Sequence, residues 1–192
     1  MKKGFTIIEV SILFVIFLIV AFLVAPLSLD DTMQAKNISR WRSVQQDFSN
    51  ILYSITAQKE ESTLPVEAII QDVINNEVKN SIATYKITAL NGSLPNNLYR
   101  FKDFKQTYSN AVISLKLLEN SKNDVHGILM YDVNGTTGPN TWGKDVFGLN
   151  IYEDKIEPFG AELPIKDQKE DCNKEGTGVF CSNYYLIGGN FD

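Results

Sequence analysis

The chain has 192 residues, 44% of them hydrophobic, and a formal net charge of −5. That length suits one domain with an appended segment, and the apolar content excludes a disordered chain. The acidic balance, with no basic cluster after Lys3, argues against a nucleic-acid partner.

The first predicted element is apolar on every face. The chain opens MKKGFTIIEVSILFVIFLIVAFLVAP, and between Phe5 and Leu29 the only ionisable side chain is Glu9. The uncharged stretch 10–29 has about the 20 residues that a helix needs to cross a hydrocarbon core. Lys2 and Lys3 precede it and Asp30 and Asp31 follow, so the positive-inside bias places Met1 in the cytoplasm and the bulk of the chain outside. A cleaved secretory signal fits less well, because the run is long and no small-x-small site follows it. Glu9 has no place in a plain anchor, since an acid in lipid costs on the order of 2.5–3.5 kcal/mol. No lysine or arginine inside the run can pair with it. The remaining partner is a free α-amino group, created by a cut nearby.

KKG followed by FTIIEV resembles the leader junction of type IV prepilins and pseudopilins. The resemblance is specific over about the first 30 residues and general beyond them. It implies cleavage after Gly4 by a prepilin peptidase and N-methylation of the new first residue, Phe5. It also implies an assembly role for Glu9, whose carboxylate would pair with the Phe5 amine of a neighbouring subunit. Pro26 matches a proline common in the family's first helix. The implied organisation is a cytoplasmic leader over 1–4, a transmembrane and assembly half-helix over 5–28, and a periplasmic or extracellular head over 29–192. The implied partners are other pilin or pseudopilin subunits, the peptidase, an inner-membrane assembly platform with its ATPase, and membrane lipid.

Beyond Pro26 the pattern becomes amphipathic. Ile38, Trp41, Val44, Phe48, Ile51 or Leu52, and Ile55 recur at three- and four-residue steps, which is one helical stripe. The reading is a continuous helix from Phe5 to Ala57, kinked or locally melted at Pro26. A second helix is predicted from Pro65, which suits a first helical position, to Ala83. Turn signals NGS and LPNN follow. AVISLKLL, HGILMYDV and DVFGLNIYE then read as three antiparallel strands joined by hairpins. The predicted class is α+β, a long N-terminal helix with a membrane-spanning first half, packed on a small antiparallel sheet. The resemblance implies the same pilin-like architecture.

The segment YDVNGTTGPNTWGKDVFG holds a near miss to a phosphate loop: Gly138, Gly143 and Lys144 have the G-x-x-x-x-G-K spacing. Asp145 stands where a magnesium-binding hydroxyl is needed, Pro139 removes a donor, and a strand pattern follows where a phosphate loop opens a helix. Two readings stay open for this loop. Asp132, Asn134, Asn140 and Asp145 offer oxygen ligands to Ca²⁺, although the distal glutamate of an EF-hand is absent. Alternatively the loop is a wide hairpin connection held by Asx-turns. Some pseudopilins carry a calcium in a loop of the head, but none of their calcium motifs is matched here.

Cys172 and Cys181 enclose eight residues. On the predicted oxidising side of the membrane a disulfide is the default, and many type IV pilins close a C-terminal loop in this way. Zinc lacks ligands, because His126 is the one histidine. The tail CSNYYLIGGNFD reads as a final strand or edge segment. No G-x-S-x-G, H-E-x-x-H or C-x-x-C occurs, so no enzyme is expected and no cofactor apart from the open Ca²⁺ reading. The function implied is a structural subunit of a type IV pilus-like filament. The alternatives are a pseudopilin of a type II secretion system and, more distantly, a membrane-anchored periplasmic hydrolase. The implied location is the inner membrane, single-pass, and then the filament.

Overall fold

Six strands form one antiparallel sheet in which every strand pairs with its neighbours in sequence: β1 (Val78–Ile82), β2 (Phe104–Thr107), β3 (Val112–Leu117), β4 (Gly127–Asp132), β5 (Val146–Ile151) and β6 (Ile156–Pro158). The computed structural model describes residues 7–58, 66–118 and 124–190, with the side chains of Glu9, 23–30, Leu52, 54–58, 66–69 and 72–73 excepted. Four helices accompany the sheet: α1 (Ile7–Gln58), α2 (Val66–Glu77), α3 (Ile165–Asp171) and α4 (Cys181–Tyr184). The chain divides into two compact units, Met1–Lys36 and Asn37–Asp192.

The three expected strands are β3, β4 and β5. Their apolar runs are continuous because the sheet is buried on both faces. On one face Ile113, Leu129, Phe147, Leu149 and Ile151 pack with Trp41 of α1, with Ile70 and Ile74 of α2, and with the C-terminal Tyr184 and Tyr185. On the other, Val112, Ile128, Met130 and Val146 pack with Ile87, Phe101, Trp142 and Phe159. Successive residues of β4 thus alternate between the two cores. Gly148 in β5 makes room for the second one: a Cβ there would lie 2.1 Å from the Phe159 ring.

The Asn37–Asp192 unit takes in α1 from Asn37 onward. Ile38, Trp41, Val44 and Phe48 give that stretch its apolar stripe. Trp41 stacks on Phe147 with ring centroids 4.9 Å apart, and its indole N–H donates to the Ser182 carbonyl at 2.8 Å. Arg42 donates to the Tyr185 carbonyl at 2.7 and 3.1 Å.

The expected fold class, a long membrane-spanning helix packed on a small sheet, is corrected. The sheet has six strands rather than three, and the helices that accompany it from α2 onward are short, at 12, 7 and 4 residues. Among the described residues no helix is long and apolar enough to cross a membrane. The expected transmembrane segment over 5–28 is corrected on that ground. The single-pass inner-membrane location, with cytoplasmic N-terminus and periplasmic head, depended on it and falls with it.

Local corrections follow the same physics. α1 is helical without interruption through Pro26, so the backbone does not melt there. The second helix stops at Glu77, and 78–82 is a strand instead, paired with β2 from Val78↔Thr107 to Ile82↔Phe104. Among the described residues of the C-terminal tail, 181–190, no strand forms. The tail turns through α4, where Cys181, Tyr184 and Tyr185 are buried at three- and four-residue steps.

Candidate functional site

Two features stand out from a plain α+β scaffold. The first is the surface of α1 within Met1–Lys36. Ile7, Ile8, Val10, Ile12 to Val20 and Phe22 are all exposed, from 45% at Leu18 to 86% at Ile7. The consecutive stretch 12–20 makes two and a half turns, so every side of the helix is apolar. The one polar side chain described in this stretch, Ser11, turns its hydroxyl back to donate to the Ile7 carbonyl at 2.9 Å. Exposed patches of this kind mark a surface that something covers. The expected processing residues Gly4 and Phe5 lie outside the described residues. Glu9 and Pro26 lie within α1, and their side chains are outside the description.

The second feature is the β4–β5 connection. Asp132, the last residue of β4, pairs with Val146, the first of β5. The chain therefore leaves and re-enters the sheet at adjacent points, and the Val133 N–H donates to the Asp145 carbonyl at 2.9 Å. This geometry brings together all four residues that the sequence offered as ligands. Asp132 and Asp145 have no exposed surface. Asp132 Oδ1 accepts the backbone N–H groups of Asn134 at 3.0 Å and Gly135 at 2.9 Å, an Asx-turn, and its Oδ2 accepts the Tyr85 hydroxyl. Asp145 Oδ1 accepts the Thr141 N–H at 2.7 Å, and Oδ2 accepts the Asn140 N–H at 2.9 Å and the Asn134 amide at 3.2 Å. Asn134 thus bridges both carboxylates.

The surroundings are acceptor-rich. The side-chain oxygens Oδ1 of Asn134 and of Asn140 are both buried with no donor. No cationic side chain among the described residues pairs with either aspartate. Burial pushes the Asp132 carboxyl up to about 8, and the neighbouring Asp145 adds to that rise. Burial raises Asp145 as well, against the N–H groups of Thr141 and Asn140. Burial, and then Asp132, hold the Tyr85 hydroxyl far above its ordinary value. Tyr85 had no sequence signal: it reaches Asp132 from 47 positions away.

The backbone suits this loop. Asn140 and Gly143 have positive φ of 51° and 78°, and asparagine and glycine tolerate that region best. A Cβ at Gly143 would stand 2.7 Å from the Cys181 sulfur. Gly143 and Lys144 lead into β5, not into a helix, so no phosphate cradle forms. Among the described residues no three His, Cys, Asp or Glu side chains gather as a metal set.

Cys172 and Cys181 are joined as a disulfide. Asp171 pins the enclosed loop: its carboxylate accepts the Thr177 N–H at 2.8 Å, the Thr177 hydroxyl at 2.6 Å and the Phe180 N–H at 2.9 Å. His126 is exposed immediately before β4. No protein-family model, no curated protein and no solved structure matches the chain.

Proposed function

We propose that the chain is a structural subunit of a type IV pilus-like filament, matured by cleavage after Gly4 and assembled through the apolar part of α1. The observation that carries this reading is the exposed apolar surface on all sides of 7–22. A helix that is apolar all round belongs inside a bundle, and the cover proposed is the same helix of other copies. Fully burying a Val, Leu, Ile or Phe side chain is worth about 1.5–3 kcal/mol. Thirteen such residues, between 45% and 86% exposed, give on the order of 10–25 kcal/mol per subunit. That is comparable to or larger than the roughly 4–15 kcal/mol that association costs in lost freedom. The apolar term has no direction. Glu9 supplies register by pairing with the Phe5 amine of the next subunit, and this explains an acid in an otherwise apolar run.

The test is expression with a prepilin peptidase and a pilus assembly system. Intact mass should show a chain that starts at Phe5 and carries one methyl group, in sedimentable filaments. Val15→Asp should abolish filaments and leave the 172–181 disulfide formed. A chain starting at Met1 with the peptidase present, or filaments unaffected by Val15→Asp, would refute the reading.

A further inference from the structure

We propose that the 37–192 units of two copies dock head to tail, with the loop 94–100 of one copy seated in an apolar groove between α1 and β3 of the next. The contact is separate from the α1 surface and rests on the filament reading only for its place in an assembly. The groove is lined by Phe48 and Ile51 of α1, Ile113 of β3 and Tyr131 of β4, and holds about 270 Å³. Phe48 and Tyr131 meet edge-on there, with ring centroids 6.2 Å apart. That volume is below the roughly 300–1,000 Å³ of small-molecule pockets and suits one or two aliphatic side chains. Asp47 of α1 and Glu77, the last residue of α2, line the same groove and are exposed. No cation among the described residues pairs with either acid. A matching occupant is apolar at its tip and positively charged around it.

The loop 94–100 has that character. Its Leu94 and Leu98 are 59% and 45% exposed. Two cations are bonded to its backbone: Arg100 Nε donates to the Pro95 carbonyl at 3.0 Å, and Lys116 Nζ to the carbonyls of Asn97 at 3.2 Å and Leu98 at 3.3 Å. Neither has a carboxylate partner among the described residues. The Asn96 side chain closes the turn by accepting the N–H groups of Leu98 at 3.0 Å and Tyr99 at 3.2 Å. The loop is thus shaped before contact, which lowers the ordering cost of binding. Loop and groove face apart within one chain. Ile113 lies near the start of β3 and Lys116 near its end, about 10 Å away along the strand. The faces differ too. Ile113 packs in the core with Trp41, whereas Tyr99 and Phe101, beside the loop's tip, pack in the core with Trp142. One copy can therefore give its loop and receive another's at the same time. Such a heterologous contact adds copies in series unless its rotation closes a ring. Two positive charges against two negative ones set its orientation.

The experiment uses the full chain in mild detergent, which covers residues 7–22, with self-association read by sedimentation. The wild type should form a series of species beyond the dimer, weakened by added salt. Asp47→Lys with Glu77→Lys reverses the groove, and Arg100→Glu with Lys116→Glu reverses the loop. Each double variant alone should associate at least about tenfold more weakly. Mixed in equal amounts, the two should regain wild-type affinity, because each reversed surface then meets its complement. That recovery also shows that both variants are folded. Wild-type chain that stays monomeric up to about 1 mM would overturn the proposal. So would association unchanged in both double variants, or no recovery on mixing. A single closed dimer would overturn the head-to-tail arrangement. Val15→Asp separates the two readings: it should leave this association unchanged while filaments are lost. Filaments formed by a chain that shows no association in detergent would refute the head contact alone.

Discussion

Replacing Trp41 should show how strongly α1 is built into the sheet's unit. Trp41 is fully buried, stacked on Phe147 and bonded to the Ser182 carbonyl. Truncating a buried aromatic to alanine costs about 3–5 kcal/mol. The stack adds about 0.5–1.5 kcal/mol beyond area, and an unsatisfied carbonyl about 1–3 kcal/mol. These terms overlap, so the expected loss for Trp41→Ala is about 4–6 kcal/mol. Against a total domain stability of about 5–15 kcal/mol that is a large share, equivalent to a Tm drop of about 10–20 °C. Trp41→Phe keeps most of the stack and loses the hydrogen bond, so its loss should be about 1.5–2.5 kcal/mol. The chain has two tryptophans, and in these variants the buried Trp142 alone reports the melt by fluorescence. A Trp41→Ala melt within 2 °C of wild type would refute the reasoning.

Other perturbations follow from the packing and the loop. Gly148→Ala drives a Cβ into the Phe159 ring and should cost about 1–3 kcal/mol by overpacking, read in the same melt. Reducing the 172–181 disulfide should cost about 2.5–3 kcal/mol on the loop-entropy model, and non-reducing peptide maps should join the two cysteine peptides. The Asp132 carboxyl stands at about 8 in the folded chain and at 3.8 ordinarily, so the folded state holds the extra proton between those values. Its stabilising contribution is complete below about pH 4 and is lost as pH rises to about 8. Urea midpoints measured in chelator should fall from pH 5 to pH 8, by up to about 1.4 kcal/mol per pH unit. A flat profile would contradict the assigned burial.

The strands β3, β4 and β5 were legible because each is a short apolar run bounded by turn residues. β1 and β2 were not, since VKNSI and FKQT carry polar side chains and little alternation. Ile74, Val78 and Ile82 are spaced by four, which extends the helical pattern into β1. Cross-strand pairing with 104–107 overrides that spacing. The tail CSNYYLI has strand-like composition, yet the link from Cys181 to Cys172 and the Asp171 bonds draw it into a helical turn. The four oxygen-bearing residues of the β4–β5 connection could be found from sequence because a hairpin brings its ends together. Tyr85 could not, because its contact is long-range. A hydropathy run alone suggested a membrane span, whereas among the described residues no helix is long and apolar enough to cross one.

Assembly through the N-terminal helix is tested most directly by the filament yield of Glu9→Ala. If Glu9 pairs with the Phe5 amine of a neighbour, removing one side of a buried pair costs about 3–5 kcal/mol, a factor of a hundred or more at each subunit contact. Sheared filament should then fall below detection, while the disulfide-bonded 37–192 unit melts as in the wild type. Wild-type amounts of filament from Glu9→Ala would contradict the account.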